Sequence, residues 1–217
     1  MAEVKQGTVE WMAEREGKIT SSRISCIMPE PKSADEKALT GLSVGAKSYA
    51  YEIIANSLVS MPSFHNEATD WGNNAESLAR HFYAQRTGYY VDEVGFIESD
   101  IQGYGGSPDG IIYTNMGSDI GIVEFKCPFN SGIHIKYCLI KCDNDIPNEY
   151  YWQCQSNMYV AGAAWCDFVS FDPRIDSDMG LFIYRLYRNN SDIERMIKQV
   201  KNMKTFISNV KSQLGIK

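Results

Sequence analysis

The chain has 217 residues, 44% of them hydrophobic and 22% charged, with six cysteines and a formal net charge of −6. This composition excludes disordered, fibrous and collagen-like chains, and no apolar run approaches the ~18 residues of a membrane span. The charge is polarised: residues 177–217 hold eight bases against three acids, and the remainder holds 13 against 24. Such a body is unsuited to coating nucleic acid without specificity, while the basic end suits a local contact or a solvated helix.

Residues 1–7 lack the basic, apolar and small-residue pattern of a signal segment, so a cytoplasmic location is expected. Cys26, Cys127, Cys138, Cys142, Cys154 and Cys166 contain no Cys-x-x-Cys pair. They are expected to be reduced, small and largely buried rather than ligands of zinc or an iron–sulfur cluster. There are no internal repeats, and a single domain over residues 1–217 is expected.

In chain order, Thr8 to Glu16 predicts a short helix ended by Gly17, and Thr20 or Ser21 can cap a second one carrying Ile24 and Ile27. Met28 to Gly45 reads as a loop before a helix near Ala46 to Leu58, and Met61 to Asn66 as a turn-rich connection. Trp71, Ala75, Leu78, Ala79 and Phe82 form a helical stripe that stops at Gly88. Tyr89 to Glu98, Gly110 to Tyr113 and Ile120 to Phe125 predict a three-stranded meander, the last two strands joined by a turn at Asn115 to Ser118. A helix over Asn148 to Ala163, strands over Asp167 to Phe171 and Leu181 to Tyr187, and a long basic amphipathic helix over Ser191 to Leu214 complete the order. It implies a mixed sheet flanked by helices, an α/β (α+β) fold.

Asp109, in Ser107-Pro108-Asp109-Gly110, stands where one strand begins, and Glu124-Phe125-Lys126 stands where the next one ends. A period of two sends Glu124 and Lys126 to one face and Phe125 to the other. If the two strands pair, Asp109 comes opposite the Glu124 and Lys126 end, gathering two carboxylates and an ammonium. Phosphodiester hydrolysis uses such a set, because carboxylates hold a divalent cation against a phosphate and lysine orients or deprotonates water. Hard oxygen ligands favour magnesium or manganese over zinc.

Pro108-Asp109 followed by Glu124-Phe125-Lys126 resembles the signature of the PD-(D/E)xK nuclease superfamily, whose restriction-endonuclease-like core has a similar element order. Together with Trp71-Gly72-Asn73-Asn74-Ala75-Glu76, Glu124-Phe125-Lys126-Cys127-Pro128-Phe129 and Gln153-Cys154-Gln155, the chain resembles the phage lambda exonuclease and YqaJ-like viral recombinase family from about Trp11 to Pro173.

The resemblance implies a magnesium-dependent 5′→3′ exonuclease acting on linear double-stranded DNA. It would release 5′-mononucleotides and leave a 3′ single-stranded overhang for a single-strand annealing protein in phage-type recombination, in the host cytoplasm if phage-encoded. It implies two Mg²⁺ ions per active site, with Mn²⁺ a possible substitute, held by Asp109, Glu124, the main-chain carbonyl of Phe125 and Glu76. Lys126 would position the attacking water, and Gln153 would reach the same site. Arg15 and Ser22 match the family's 5′-phosphate-binding positions, and Ser107 would complete that pocket. A homotrimeric ring around DNA is also implied. Thr69 departs from the family, which has an apolar strand-separating wedge there. The alternatives are a restriction-like or RecB/Cas4-type DNA endonuclease, and an inert DNA-end-binding scaffold.

Overall fold

A computed structural model describes residues 4–59, 67–114, 119–176 and 178–216, with the backbone alone for residues 67–70 and 72–74. The elements in chain order are α1 (Val9–Arg15), β1 (Ile19–Thr20), a 3-10 helix (Ser21–Ile27), α2 (Ala34–Leu39), α3 (Val44–Asn56), α4 (Glu67–Thr87), β2 (Val91–Asp92), β3 (Ile97–Glu98), β4 (Tyr104–Gly106), β5 (Gly110–Tyr113), β6 (Ile120–Lys126), α5 (Ser131–Tyr137), α6 (Asn148–Ala161), β7 (Trp165–Phe171), β8 (Leu181–Tyr187) and α7 (Asn190–Gln213). The expected Met61 to Asn66 connection and Asn115 to Ser118 turn lie outside the described residues. So do the side chains of Thr69, Gly72, Asn73 and Asn74.

Five strands form the main sheet in the order β2-β5-β6-β7-β8, antiparallel except for the β6–β7 pair. The parallel pair follows from the crossover through α5 and α6, since parallel neighbours cannot be joined by a hairpin. Successive β6 side chains enter opposite layers. Ile122 packs in the cluster with Cys154 and Met158 of α6, whereas Val123 and Phe125 pack with Ala79 and Tyr83 of α4. Phe125 meets Tyr83 edge to face at 5.8 Å, and burying a side chain of this size contributes about 1.5–3 kcal/mol. That anchoring turns Glu124 and Lys126 toward α6.

A third cluster joins the 3-10 helix to α3, α6 and α7, with Ile24, Ala46, Trp152 and Met196 among its buried members. Asp167, in the middle of β7, is buried but satisfied: Arg185 donates to both of its oxygens at 2.8 Å and Tyr83 donates to Oδ2 at 2.6 Å. The six cysteines are free thiols. No helix among the described residues is long and apolar enough to cross a membrane.

The structure differs from expectation in four places. Tyr89 to Glu98 is not one strand: Val91–Asp92 pairs with β5 in the main sheet, while Ile97–Glu98 pairs with β4 in a second sheet of order β1-β4-β3. Its strands have two or three residues, too few for alternation to show. The expected loop from Met28 to Gly45 contains α2, capped by Ser33, whose side chain accepts from the Glu36 N–H. α4 begins at Glu67, four residues ahead of the apolar stripe. Finally, α5 is an additional helix, capped by Asn130.

Candidate active site

Register brings the acids together. Gly110 pairs with Val123, so Asp109 falls opposite Glu124, and its Oδ2 accepts the Phe125 N–H at 2.6 Å. Glu124 is 1% exposed, and its Oε1 accepts from Lys126 Nζ at 2.7 Å. Gln153 of α6 donates through Nε2 to the same oxygen and accepts from Lys126 Nζ at 3.4 Å. The Lys126 ammonium also stands 4.6 Å from the Tyr150 ring centroid. Glu124, Lys126 and Gln153 therefore form one contact network, and Asp109 joins it through the Phe125 N–H between Glu124 and Lys126.

The electrostatics are those of an anion cluster held out of water. Burial raises the Asp109 pKa well above the usual carboxylate range, and Glu124 and Glu76 push it further, against the opposing pull of Lys126 and the Phe125 N–H. Burial disfavours charge on Lys126, but Glu124 and Asp109 outweigh it and hold its pKa above the ordinary lysine value. Lys126 thus stays an ammonium. Its neighbour Cys127 is pushed by burial and by the acids up to about 12, so it stays a neutral thiol.

Glu76 borders a cleft of about 220 Å³ that Asp109, Glu93, Gln6 and Arg80 also line. Burial raises its pKa, Arg80 lowers it and Glu124 raises it again. Arg80, one helical turn on, pairs with Glu76 at 2.8 Å and with Glu93 at 2.7 Å. The sequence reading did not identify Arg80; its i+4 spacing from Glu76 was the available signal. Gln6 was also missed: its Nε2 donates to the carbonyls of Val94 and Pro108 at 2.9 and 2.8 Å, tying the N-terminal segment to the connection before β5 that carries Asp109.

The three residues assigned to the terminal phosphate also converge. Arg15 donates to Ser22 Oγ at 3.0 Å, and its guanidinium lies 4.0 Å above the Trp11 ring. Trp11 Nε1 donates to Ser107 Oγ at 3.0 Å. Neither Glu14 nor Glu16 forms an ion pair with Arg15 among the described residues. Burial lowers the Arg15 pKa, while Tyr49 and Glu124 act in the opposite direction. A half-buried guanidinium with no ion pair among the described residues, bonded to a hydroxyl and stacked on a ring that holds a second one, has the donors for paired charge-assisted bonds with an anion.

Among the described residues, no three His, Cys, Asp or Glu side chains close into a metal cage by themselves. The available donors, carboxylates and a main-chain carbonyl, are hard oxygens, and the repulsion between Asp109 and Glu124 is what a dication would relieve.

Residues 10–164 match the YqaJ-like viral recombinase domain family. The crystal structure of an alkaline exonuclease, LHK-Exo, from Laribacter hongkongensis is similar with a TM-score of 0.76 and 33% identity over 96% of this chain and 98% of that one. Its complex with dAMP matches equally. A phage-related exonuclease from Haemophilus somnus 129PT shares the fold, with a TM-score of 0.72 and 21% identity over 91% of this chain and 96% of that one. The uncharacterized protein R354 of Acanthamoeba polyphaga mimivirus is 26% identical over 173 residues, which cover 76% of this chain and 29% of that protein.

Proposed function

The chain belongs to the YqaJ-like viral recombinase domain family, and from that premise we propose that it is a magnesium-dependent 5′→3′ exonuclease. It degrades one strand of linear duplex DNA to 5′-mononucleotides and leaves a 3′ single strand for an annealing protein. One observation carries this reading: Asp109, Glu124 and Lys126 converge across paired strands into a buried anion cluster with a single ammonium at its centre. The exonuclease function of the similar LHK-Exo supports it, and that protein's complex with dAMP is consistent with a mononucleotide product.

Asp109, Glu124, the Phe125 carbonyl and Glu76 would hold the metal. When bound, divalent magnesium lowers the pKa of water and neutralises charge developing on the phosphate. The chain's own residues do the rest. Lys126, fixed between Glu124 and Gln153, orients the attacking water and offers positive charge to the phosphate. Gln153 holds Glu124 and Lys126 in register through its two amide atoms. Arg15, Ser22 and Ser107 take the terminal 5′-phosphate, which sets the polarity by placing the first internucleotide bond near the acids. A homotrimeric ring would retain the duplex between cycles.

The test is digestion of one linear duplex prepared with 5′-phosphate or 5′-hydroxyl ends, with Mg²⁺ and after chelation. The wild type is expected to release mononucleotides only with the metal and to prefer phosphorylated ends. Arg15→Ala is expected to reduce that preference about 10- to 100-fold, the worth of a lost charge-assisted bond. Undiminished release after chelation would overturn the metal assignment, and an unchanged preference in Arg15→Ala would remove Arg15 from the pocket.

A further inference from the structure

A buried polar chain joins the phosphate pocket to Glu124. Ser21, adjacent to Ser22, accepts a hydrogen bond from Ser156 Oγ at 2.7 Å, and the Tyr104 hydroxyl lies 2.5 Å from Ser156 Oγ. The next residue on α6, Asn157, donates through Nδ2 to Glu124 Oε2 at 3.0 Å. None of Ser21, Tyr104, Ser156 and Asn157 is more than 1% exposed. Their neighbours Cys154 and Met158 are apolar core, so this polar pair sits where packing alone would favour hydrophobic side chains.

Two features of this chain stand out. The Asn157 amide must turn its Nδ2 toward the carboxylate, and its buried Oδ1 is then without a partner among the described residues. Meanwhile Ser21 donates to the Gly105 carbonyl over a long 3.3 Å bond. Gly106 lies between the two: a Cβ there would come 2.2 Å from Ser21 Oγ and 2.3 Å from Asn157 Oδ1. Glycine therefore lets both polar atoms approach across its backbone. The Ser21 hydroxyl, weakly held by the Gly105 carbonyl, thus has a second acceptor nearby in the unpartnered Asn157 oxygen on the other side of Gly106.

We propose that Ser21, held by the Ser156 hydroxyl, and Asn157 couple capture of the terminal 5′-phosphate to the placement of Glu124, an inference that rests on the phosphate and metal roles proposed above. Phosphate engaging Ser22 moves the adjoining Ser21, whose hydroxyl turns from Gly105 to Asn157 Oδ1. The newly bonded amide is fixed, and Asn157 then holds Glu124 Oε2 in place while Oε1 remains with Lys126 and Gln153. Asn157 and Ser156 are positioning residues, since neither is placed against the substrate. The device favours the metal-competent carboxylate when a phosphorylated end is seated.

The experiment measures rates on 5′-phosphate and 5′-hydroxyl duplex ends for the wild type, Ser156→Ala, Ser21→Ala and the double variant, and Mn²⁺ affinity without DNA by calorimetry. Each single variant is expected to lower the phosphate preference roughly 3- to 10-fold, the worth of one hydrogen bond, and the double variant no further, because both cut the same link. Asn157→Ala, with the near-isosteric Asn157→Leu as a second variant against misfolding, is expected to weaken Mn²⁺ binding about 10- to 100-fold. A wild-type preference retained by the serine variants, additive serine effects, or unchanged Mn²⁺ affinity in both Asn157 variants would overturn the coupling. A wild type with no preference for phosphorylated ends would instead overturn the phosphate pocket, and the coupling with it.

Discussion

Asp109→Asn is expected to lower the digestion rate of a linear duplex by about 10³-fold, because the charge stabilisation lost with a metal ligand is worth several kcal/mol and each ~1.4 kcal/mol is a factor of ten. The same change is expected to leave the metal-free fold as stable as the wild type or more so. Burial, Glu124 and Glu76 all disfavour a charged Asp109, and asparagine removes the charge while its carbonyl oxygen can still accept the Phe125 N–H that Asp109 accepts at 2.6 Å. The sign of the pH dependence follows. Asp109 has a folded-state pKa above its unfolded value, so the native state binds more protons, and metal-free stability falls as pH rises from about 4 through the raised value. Magnesium should reverse that loss in the wild type and not in Asp109→Asn, which thermal melts with and without the ion will show. A variant that keeps wild-type activity would sink the assigned site.

Lys126→Met should be equally inactive for a different reason, and its stability should move in the opposite direction. The change leaves Glu124, 1% exposed, without the ammonium that stands 2.7 Å from it. Breaking a buried pair from one side costs about 3–5 kcal/mol, which for a chain of this size lowers the melting temperature on the order of 10 °C. Loss of an ammonium that orients the attacking water costs a factor of about 10²–10⁴ in rate. Melting and single-turnover digestion of the two variants side by side separate the roles. A Lys126→Met protein that melts with the wild type would show that the Glu124–Lys126 pair does not bear on the fold.

The chemistry was legible where it rested on strand periodicity. Phe125 enters the α4 layer, so Glu124 and Lys126 share the other face, and pairing of Gly110 with Val123 sets Asp109 opposite Glu124. Membership of the YqaJ-like family accounts for the resemblance carried by the Ser107 to Gly110 and Glu124 to Phe129 blocks. What periodicity could not supply was the second sheet, because Ile19–Thr20, Ile97–Glu98 and Tyr104–Gly106 are too short to alternate and exist through tertiary pairing. α5 was hidden for a related reason: Ile133 and Ile135 are 37% and 40% exposed, and their alternation does not mark a helical apolar face.

Asn157 was illegible because a polar residue on an amphipathic helix reads as surface. Only the packing of α6 on the 3-10 helix and on Glu124 shows that it is buried. Arg80 is a milder case, since its spacing from Glu76 is visible in the sequence but its bridge to Glu93 across the cleft is not.

The most direct measurement is digestion of a linear duplex labelled separately on each strand and phosphorylated at one 5′ end, beside the same sequence as a covalently closed circle, with Mg²⁺ in both. The predicted result is progressive loss of label from the phosphorylated 5′ strand, survival of its complement as a 3′ overhang, and an intact circle. Cutting of the circle, or loss of label from the 3′ end first, would contradict a 5′→3′ exonuclease.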